Sequence, residues 1–144
     1  MTPAVPGHVD WGDGRSPVGL WKFTYVDTDG NLVDYGYNTM NEGGTENDLS
    51  FFHPPLGGNV CIGTWRETRA RHYKVSHYAP IFSQDHLTNI GLVNRIADIT
   101  LADDGQSTVG TFVTTGYDNS GNTLFVRQGT TTAIRIKVNT PPFP

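Results

Sequence analysis

His77 is the residue of this sequence best placed for acid–base chemistry, because alternation along its run puts it on one face with Tyr73 and Val75. An imidazole titrates near neutral pH, so a histidine inside a cavity can act as a general acid or base. Tyr37 or Asn94 would complete the proton transfer, the tyrosine by donating a hydrogen bond to a carbonyl or enolate oxygen. The alternative is a buried histidine with one structural hydrogen bond.

For the other histidines and the cysteine, the sequence favours structural or solvent-exposed roles over catalysis or metal binding. His72 and His77 are five positions apart and point to opposite faces of a regular strand, so they are a poor metal pair. We therefore predict no metal site and no cofactor. The single cysteine, Cys61, cannot form an internal disulfide and is interpreted as a buried, inert thiol. His53 precedes Pro54 and lies either at a cavity mouth or in an exposed loop.

Composition limits the class of protein. The chain has 144 residues, which fits one domain, and a formal net charge of -4 with scattered lysines and arginines, which argues against a nucleic-acid partner. No apolar run approaches the ~18 residues of a membrane span. The first 17 residues have neither the basic start nor the hydrophobic stretch of a signal peptide. Compartment and oligomeric state stay open.

Short alternating runs separated by turn signals predict an all-β domain. The runs are Val18–Asp27, Asn31–Asn41, Thr45–His53, Asn59–Thr68, His72–Phe82, Asn89–Ala102, Ser107–Asp118 and Thr123–Val138, the last of which can break at Gly129. Eight runs in meander order favour a single antiparallel up-and-down β-barrel over residues 18–139. Residues 1–17 are predicted to form a flexible arm and residues 140–144 a proline-rich tail.

The aromatic faces of these runs suggest a ligand cavity, since a barrel of about eight strands can enclose one small molecule. The candidate ligand-binding residues are Phe23, Tyr25, Tyr35, Tyr37, His53, Trp65, Tyr73, His77 and Phe112. The alternative is a filled barrel, in which glycines make room for neighbouring rings. Asn94 and Asp98 share a face, and solvent is the expected environment of both.

The chain resembles the lipocalin-like, or calycin, barrels. The resemblance lies in Gly19-Leu20-Trp21 at the first strand, in the meander, and in Arg135 within the last run. It implies that Trp21 closes the barrel floor and stacks on Arg135. The stretch from Gly58 to Trp65, Gly-Asn-x-Cys-x-Gly-x-Trp, is also similar to a group of uncharacterised bacterial lipocalin-like proteins, which brings no assigned activity.

The leading functional hypothesis is binding of a small, largely hydrophobic molecule inside the barrel. The rival is a cofactor-free isomerase, cyclase or lyase that uses histidine and tyrosine acid–base groups in the same cavity. A titratable group beside His77 in a cavity open at one end would favour catalysis, and a uniformly apolar cavity would favour a carrier. A third hypothesis is an assembly module with a filled barrel.

Overall fold

The computed structural model describes residues 16–143 and contains eight β-strands and one short 3₁₀ helix, Pro55–Gly57. The strands are β1 Gly19–Asp27, β2 Leu32–Met40, β3 Thr45–Ser50, β4 Val60–Arg69, β5 His72–Phe82, β6 Asn89–Leu101, β7 Ser107–Asp118 and β8 Thr123–Ile136. Most of the predicted N-terminal arm, residues 1–15, lies outside the described residues. Among those described, no helix has the length and apolar character of a membrane span.

The strands form one closed barrel in which each is antiparallel to its sequence neighbours and β8 pairs with β1. The predicted fold class is thereby confirmed. The break allowed at Gly129 was wrong, because β8 continues through it and pairs with Asp27 of β1. A Cβ at Gly129 would lie 2.0 Å from the carbonyl oxygen of Val26, so the glycine permits close approach of the two strands.

Two of the hairpins close with the same aspartate turn. Asp27 Oδ1 accepts hydrogen bonds from the backbone N–H groups of Asp29 and Asn31, at 3.0 and 2.9 Å. Asp118 does the same for Ser120 and Asn122, both at 2.9 Å. These bonds stabilise the ionised carboxylate, so the pKa of each aspartate lies below its ordinary value. The turns fix the register of the β1–β2 and β7–β8 hairpins.

Trp21 and Arg135 seal one end of the barrel, which we call the closed end. The guanidinium carbon of Arg135 lies 4.3 Å from the centre of the Trp21 ring, within cation–π range. Arg135 also donates hydrogen bonds to the carbonyl oxygens of Ser16, Val18 and Gly105, at 2.6, 2.7 and 2.8 Å. The stacking that the calycin resemblance implied is therefore present, and Trp21 is 1% exposed.

A β-bulge in β2 decides which of its residues face the barrel interior. Tyr25 pairs with Asp34 and Val26 with Leu32, so Val33 is an extra residue on β2. Val33 and Asp34 are consecutive and both buried, which shifts the alternation by one position for the rest of the strand. The inward residues beyond the bulge are Asp34, Gly36, Asn38 and Met40.

Candidate functional site

The end of the barrel opposite Trp21 holds a cavity of about 430 Å³ that opens between the strand connections. Its wall is mostly apolar and includes Val33, Ala79, Ile81, Phe82, Val93 and Phe125. Its rim carries polar side chains from the β3–β4 and β5–β6 connections and from β8, among them His53, Gln84, His86 and Arg127. Its floor is polar and buried: Asp34, Cys61, His77 and Arg95 line it, and the carboxyl groups of Glu46 and Asp48 lie next to His77.

Direct cross-strand pairing places a row of residues across five neighbouring strands, which we call the polar row. Glu46 of β3 pairs with Gly63 of β4, and Gly63 pairs with His77 of β5. His77 pairs with Arg95 of β6, and Arg95 with Thr114 of β7. All four side chains of this row face the interior and are buried. Because directly paired residues have Cβ atoms ~4.5–5.5 Å apart, the row holds these groups in mutual contact range.

Arg95 is held by neighbours on one side of the floor through two of its three guanidinium nitrogens. Its Nη1 donates to Asp34 Oδ2 at 3.1 Å and its Nε donates to Thr114 Oγ1 at 2.8 Å. Ser50 Oγ donates to the other oxygen of Asp34 at 2.6 Å. The guanidinium carbon lies 4.2 Å from the centre of the Tyr25 ring, and burial raises the pKa of that tyrosine above its ordinary value. In the pair of Asp34 and Arg95, each buried charge is therefore balanced by the other.

His77 lies on the other side of the floor against two carboxyl groups. Its Nδ1 is 3.3 Å from Glu46 Oε1 and 3.6 Å from Asp48 Oδ2. Asn38 Nδ2 also donates to Glu46 Oε1, at 3.4 Å. Burial, followed by the charges of Glu46 and Asp34, raises the pKa of Asp48 well above its ordinary value. This side of the floor has no guanidinium within hydrogen-bonding distance among the described residues.

Gly63 makes the contact between Glu46 and His77 possible. It stands between them in the polar row, and a Cβ at this position would lie 2.6 Å from His77 Cβ and 2.2 Å from the Ser76 carbonyl oxygen. Both distances are far below van der Waals contact, so no other residue fits without moving β5. The glycine therefore belongs to the site although it carries no functional group.

Cys61 adds a sulfur atom to the floor. It pairs directly with Asp48 across β3 and β4, it is buried, and it lines the cavity together with His77. Burial, followed by the charge of Asp48, raises the pKa of the thiol to about 12. One ligand atom each from Asp48, Cys61 and His77 lies within 4.8 Å of the others, so these three side chains are the described residues that could hold a metal ion.

Several residues predicted for the site lie elsewhere. Tyr35 and Tyr37 are on the outer surface, where their rings lie 6.3 and 5.2 Å from the ring of Phe51. The bulge at Val33 turned them outward, so neither lines the cavity. Asn94 also points outward and donates to Ser76 Oγ at 3.0 Å. The expected acid–base set of His77, Tyr37 and Asn94 is corrected accordingly, since His77 alone faces the interior.

The remaining predicted ligand residues divide between the cavity and the core. His53 is at the rim and His77 at the floor. The aromatic residues that pack below the floor, toward the closed end, are Phe23, Tyr25, Trp65, Tyr73 and Phe112. Phe23 and Tyr25 border a separate void of about 30 Å³ there. For these five, the alternative of a filled core describes the structure better than a ligand contact.

Four residues of the floor were missed from the sequence: Asp34, Glu46, Asp48 and Arg95. Arg95 had a usable signal, because it alternates with Val93, Ala97 and Ile99 and so shares their inward face. In β3 the signal was misleading. Leu49, the apolar residue of Thr-Glu-Asn-Asp-Leu-Ser, is exposed, while the acidic residues of that strand are buried.

Comparisons with known proteins add no family to this description. No family model, no curated protein and no solved structure matches the chain.

Proposed function

We propose that the protein binds a small, largely hydrophobic molecule that carries one polar group, with its apolar body against the cavity wall. The cavity of about 430 Å³ is within the range of small-molecule sites, roughly 300–1,000 Å³. The observation that carries the proposal is the division of this cavity into an apolar wall and a buried polar floor. Such a division orients an amphipathic molecule and selects it by a few polar contacts.

The polar end of the ligand is expected at the floor. Arg95 uses Nε and Nη1 for Thr114 and Asp34, and its Nη2 makes no hydrogen bond within the described residues. His77 Nε2 is likewise without a partner there. A hydroxyl or carbonyl oxygen of the ligand would satisfy these groups, since buried polar atoms are seldom left without hydrogen bonds. The rim residues His53 and Arg127 stay in contact with solvent.

The rival hypothesis of a cofactor-free isomerase, cyclase or lyase receives less support. Two of its three acid–base residues, Tyr37 and Asn94, are outside the cavity. The carboxyl groups of Glu46 and Asp48 beside His77, in a cavity open at one end, match the arrangement expected for catalysis, yet neither Tyr37 nor Asn94 lines that cavity. Binding is the function that the wall, the floor and the opening support together.

The test uses native mass spectrometry of the full chain, followed by extraction and a thermal-shift panel of small amphipathic compounds. Val93→Trp fills the cavity, because Val93 lines it directly opposite Ala79. Leu92→Trp is the matched control, since Leu92 is the neighbouring residue on the outer surface. We expect bound molecules in the natural protein and in the control, and their loss in Val93→Trp with an unchanged circular dichroism spectrum. Equal binding by both variants, or no binding by any protein, would overturn the proposal.

A further inference from the structure

Three chemically different metal-binding side chains meet in the barrel interior, where Cys61 and His77 line the cavity and Asp48 lies next to them. Asp48, Cys61 and His77 come from the consecutive strands β3, β4 and β5, and one ligand atom of each lies within 4.8 Å of the others. Atoms bound ~2.0–2.3 Å from a tetrahedral ion are about 3.5 Å apart. Small side-chain movements would therefore bring all three onto one ion.

Unpartnered atoms in the same cluster are an independent observation. Within residues 16–143, Asp48 Oδ1 and His77 Nε2 are buried and have no hydrogen-bond partner, and the same holds for Glu46 Oε2. Asp48 and His77 are each 2% exposed. Nearly all buried polar atoms in proteins form hydrogen bonds, so atoms without one on three residues that are neighbours in space indicate a missing partner. Their chemistry, two carboxylate oxygens and an imidazole nitrogen, is that of metal ligands.

The charges of the floor indicate the sign of that partner. Asp34 is paired with Arg95 at 3.1 Å, whereas the group of the described residues that can form an ion pair with Glu46 and Asp48 is the imidazole of His77, at 3.3 and 3.6 Å. The other arginine that is buried in the described part of the chain, Arg135, is at the closed end. Two buried carboxyl groups without a guanidinium are costly when ionised. A cation with two positive charges would balance both.

We propose that Asp48, Cys61 and His77 form a binding site for a divalent transition-metal ion, with Zn²⁺ the best match. Sulfur disfavours Mg²⁺ and Ca²⁺, which prefer oxygen ligands, whereas Zn²⁺ binds carboxylate oxygen, thiolate sulfur and imidazole nitrogen. Binding releases the thiol proton of Cys61 to solvent as the sulfur–metal bond forms. Three protein ligands leave one coordination position for Glu46, water or a molecule in the cavity.

Zinc binding by the full chain tests this proposal without knowledge of any organic ligand. The protein is stripped with a chelator, incubated with Zn²⁺ alone and analysed for bound zinc, and the affinity is measured against a chromophoric chelator. We expect one Zn²⁺ per chain. Asp48→Asn, Cys61→Ser and His77→Gln should each weaken binding at least about tenfold, the lower bound found even for residues that only support metal ligands. His53→Gln, at the rim of the same cavity, should leave the affinity unchanged.

Cobalt substitution gives a spectroscopic readout that is obtained first on the natural protein. Co²⁺ bound through Cys61 should show a thiolate-to-cobalt charge-transfer band, which Cys61→Ser removes. Zinc binding no tighter than that of the Asp48→Asn, Cys61→Ser, His77→Gln triple variant would overturn the proposal. Binding that depends on His53, or on His8 outside the described residues, would overturn it as well. Because these measurements use metal alone, they stand apart from success or failure of small-molecule binding.

Discussion

Removal of Arg135, a buried arginine at the closed end, should destabilise the barrel strongly. Its side chain donates to the carbonyl oxygens of Ser16, Val18 and Gly105 and stacks on Trp21 at 4.3 Å. A hydrogen bond from a charged donor contributes ~1.5–3 kcal/mol, and the lower figure applies because two of the acceptors are only partly buried. Three such bonds and ~1 kcal/mol of cation–π energy give about 5.5 kcal/mol for Arg135→Ala.

Urea unfolding, followed by tryptophan fluorescence and by circular dichroism, measures this loss. Arg135→Lys keeps the charge but not the planar fork of donors, so it should cost about half as much, ~2–3 kcal/mol. Arg127→Ala is the matched control on the same strand, and because its side chain is exposed the change should stay within ~0.5 kcal/mol. A cost below ~1 kcal/mol for Arg135→Ala, or one equal to that of the control, would refute the reasoning.

Three further perturbations test the floor and the turns. Gly63→Ala should lower the free energy of unfolding by ~1–3 kcal/mol and shift the NMR signals of His77, because the new Cβ would lie 2.6 Å from the Cβ of the histidine. Unchanged NMR signals of His77 would contradict this prediction. Arg95→Met should lower the free energy of unfolding by ~3–5 kcal/mol, because it leaves the buried charge of Asp34 without its partner. In a double-mutant cycle, Asp34→Asn in the same chain should recover part of that stability, and strictly additive losses would argue against the ion pair. Hydrogen bonds, led by the one from the Asn122 side chain, hold the pKa of Asp118 in the folded state below its ordinary value of 3.8. The contribution of these bonds to stability is therefore present above the ordinary pKa and is lost as the pH falls through the folded pKa. The stability difference between the natural protein and Asp118→Asn should accordingly close on acidification, and a difference independent of pH in urea unfolding would refute the assignment.

The sequence predicted the strands well because turn chemistry is local. Runs five and seven, His72–Phe82 and Ser107–Asp118, have the same limits as β5 and β7. The hairpins after Asp27 and Asp118 are fixed by the aspartate and by a glycine with a φ of 86°. Such signals act within a few residues, and a single sequence displays them directly.

The floor was harder to predict because it depends on which face of each strand points inward and on contacts between residues far apart in the sequence. One extra residue at Val33 reverses which side of β2 faces inward, and no residue type announces that bulge. In β3 the buried face is acidic, so hydrophobic alternation indicates the wrong face. His77 was placed correctly on the interior, but its neighbour Glu46 is 31 positions away, and the pairing of β3 with β4 and of β4 with β5 brings them together.

The pairing of β1 with β8 has a consequence for synthesis of the chain. Every other pair joins strands that follow one another, so β1 to β7 can form hairpins as they leave the ribosome. Until β8 emerges, β1 and β7 each expose an edge with unpaired N–H and C=O groups, which invites pairing with other chains. Arg135 is also absent until then, so Trp21 has no guanidinium above it. A nascent chain from which β8 has not yet emerged would thus hold an open sheet with exposed edges, and pairing of β8 with β1 and β7 closes it into a barrel without edges.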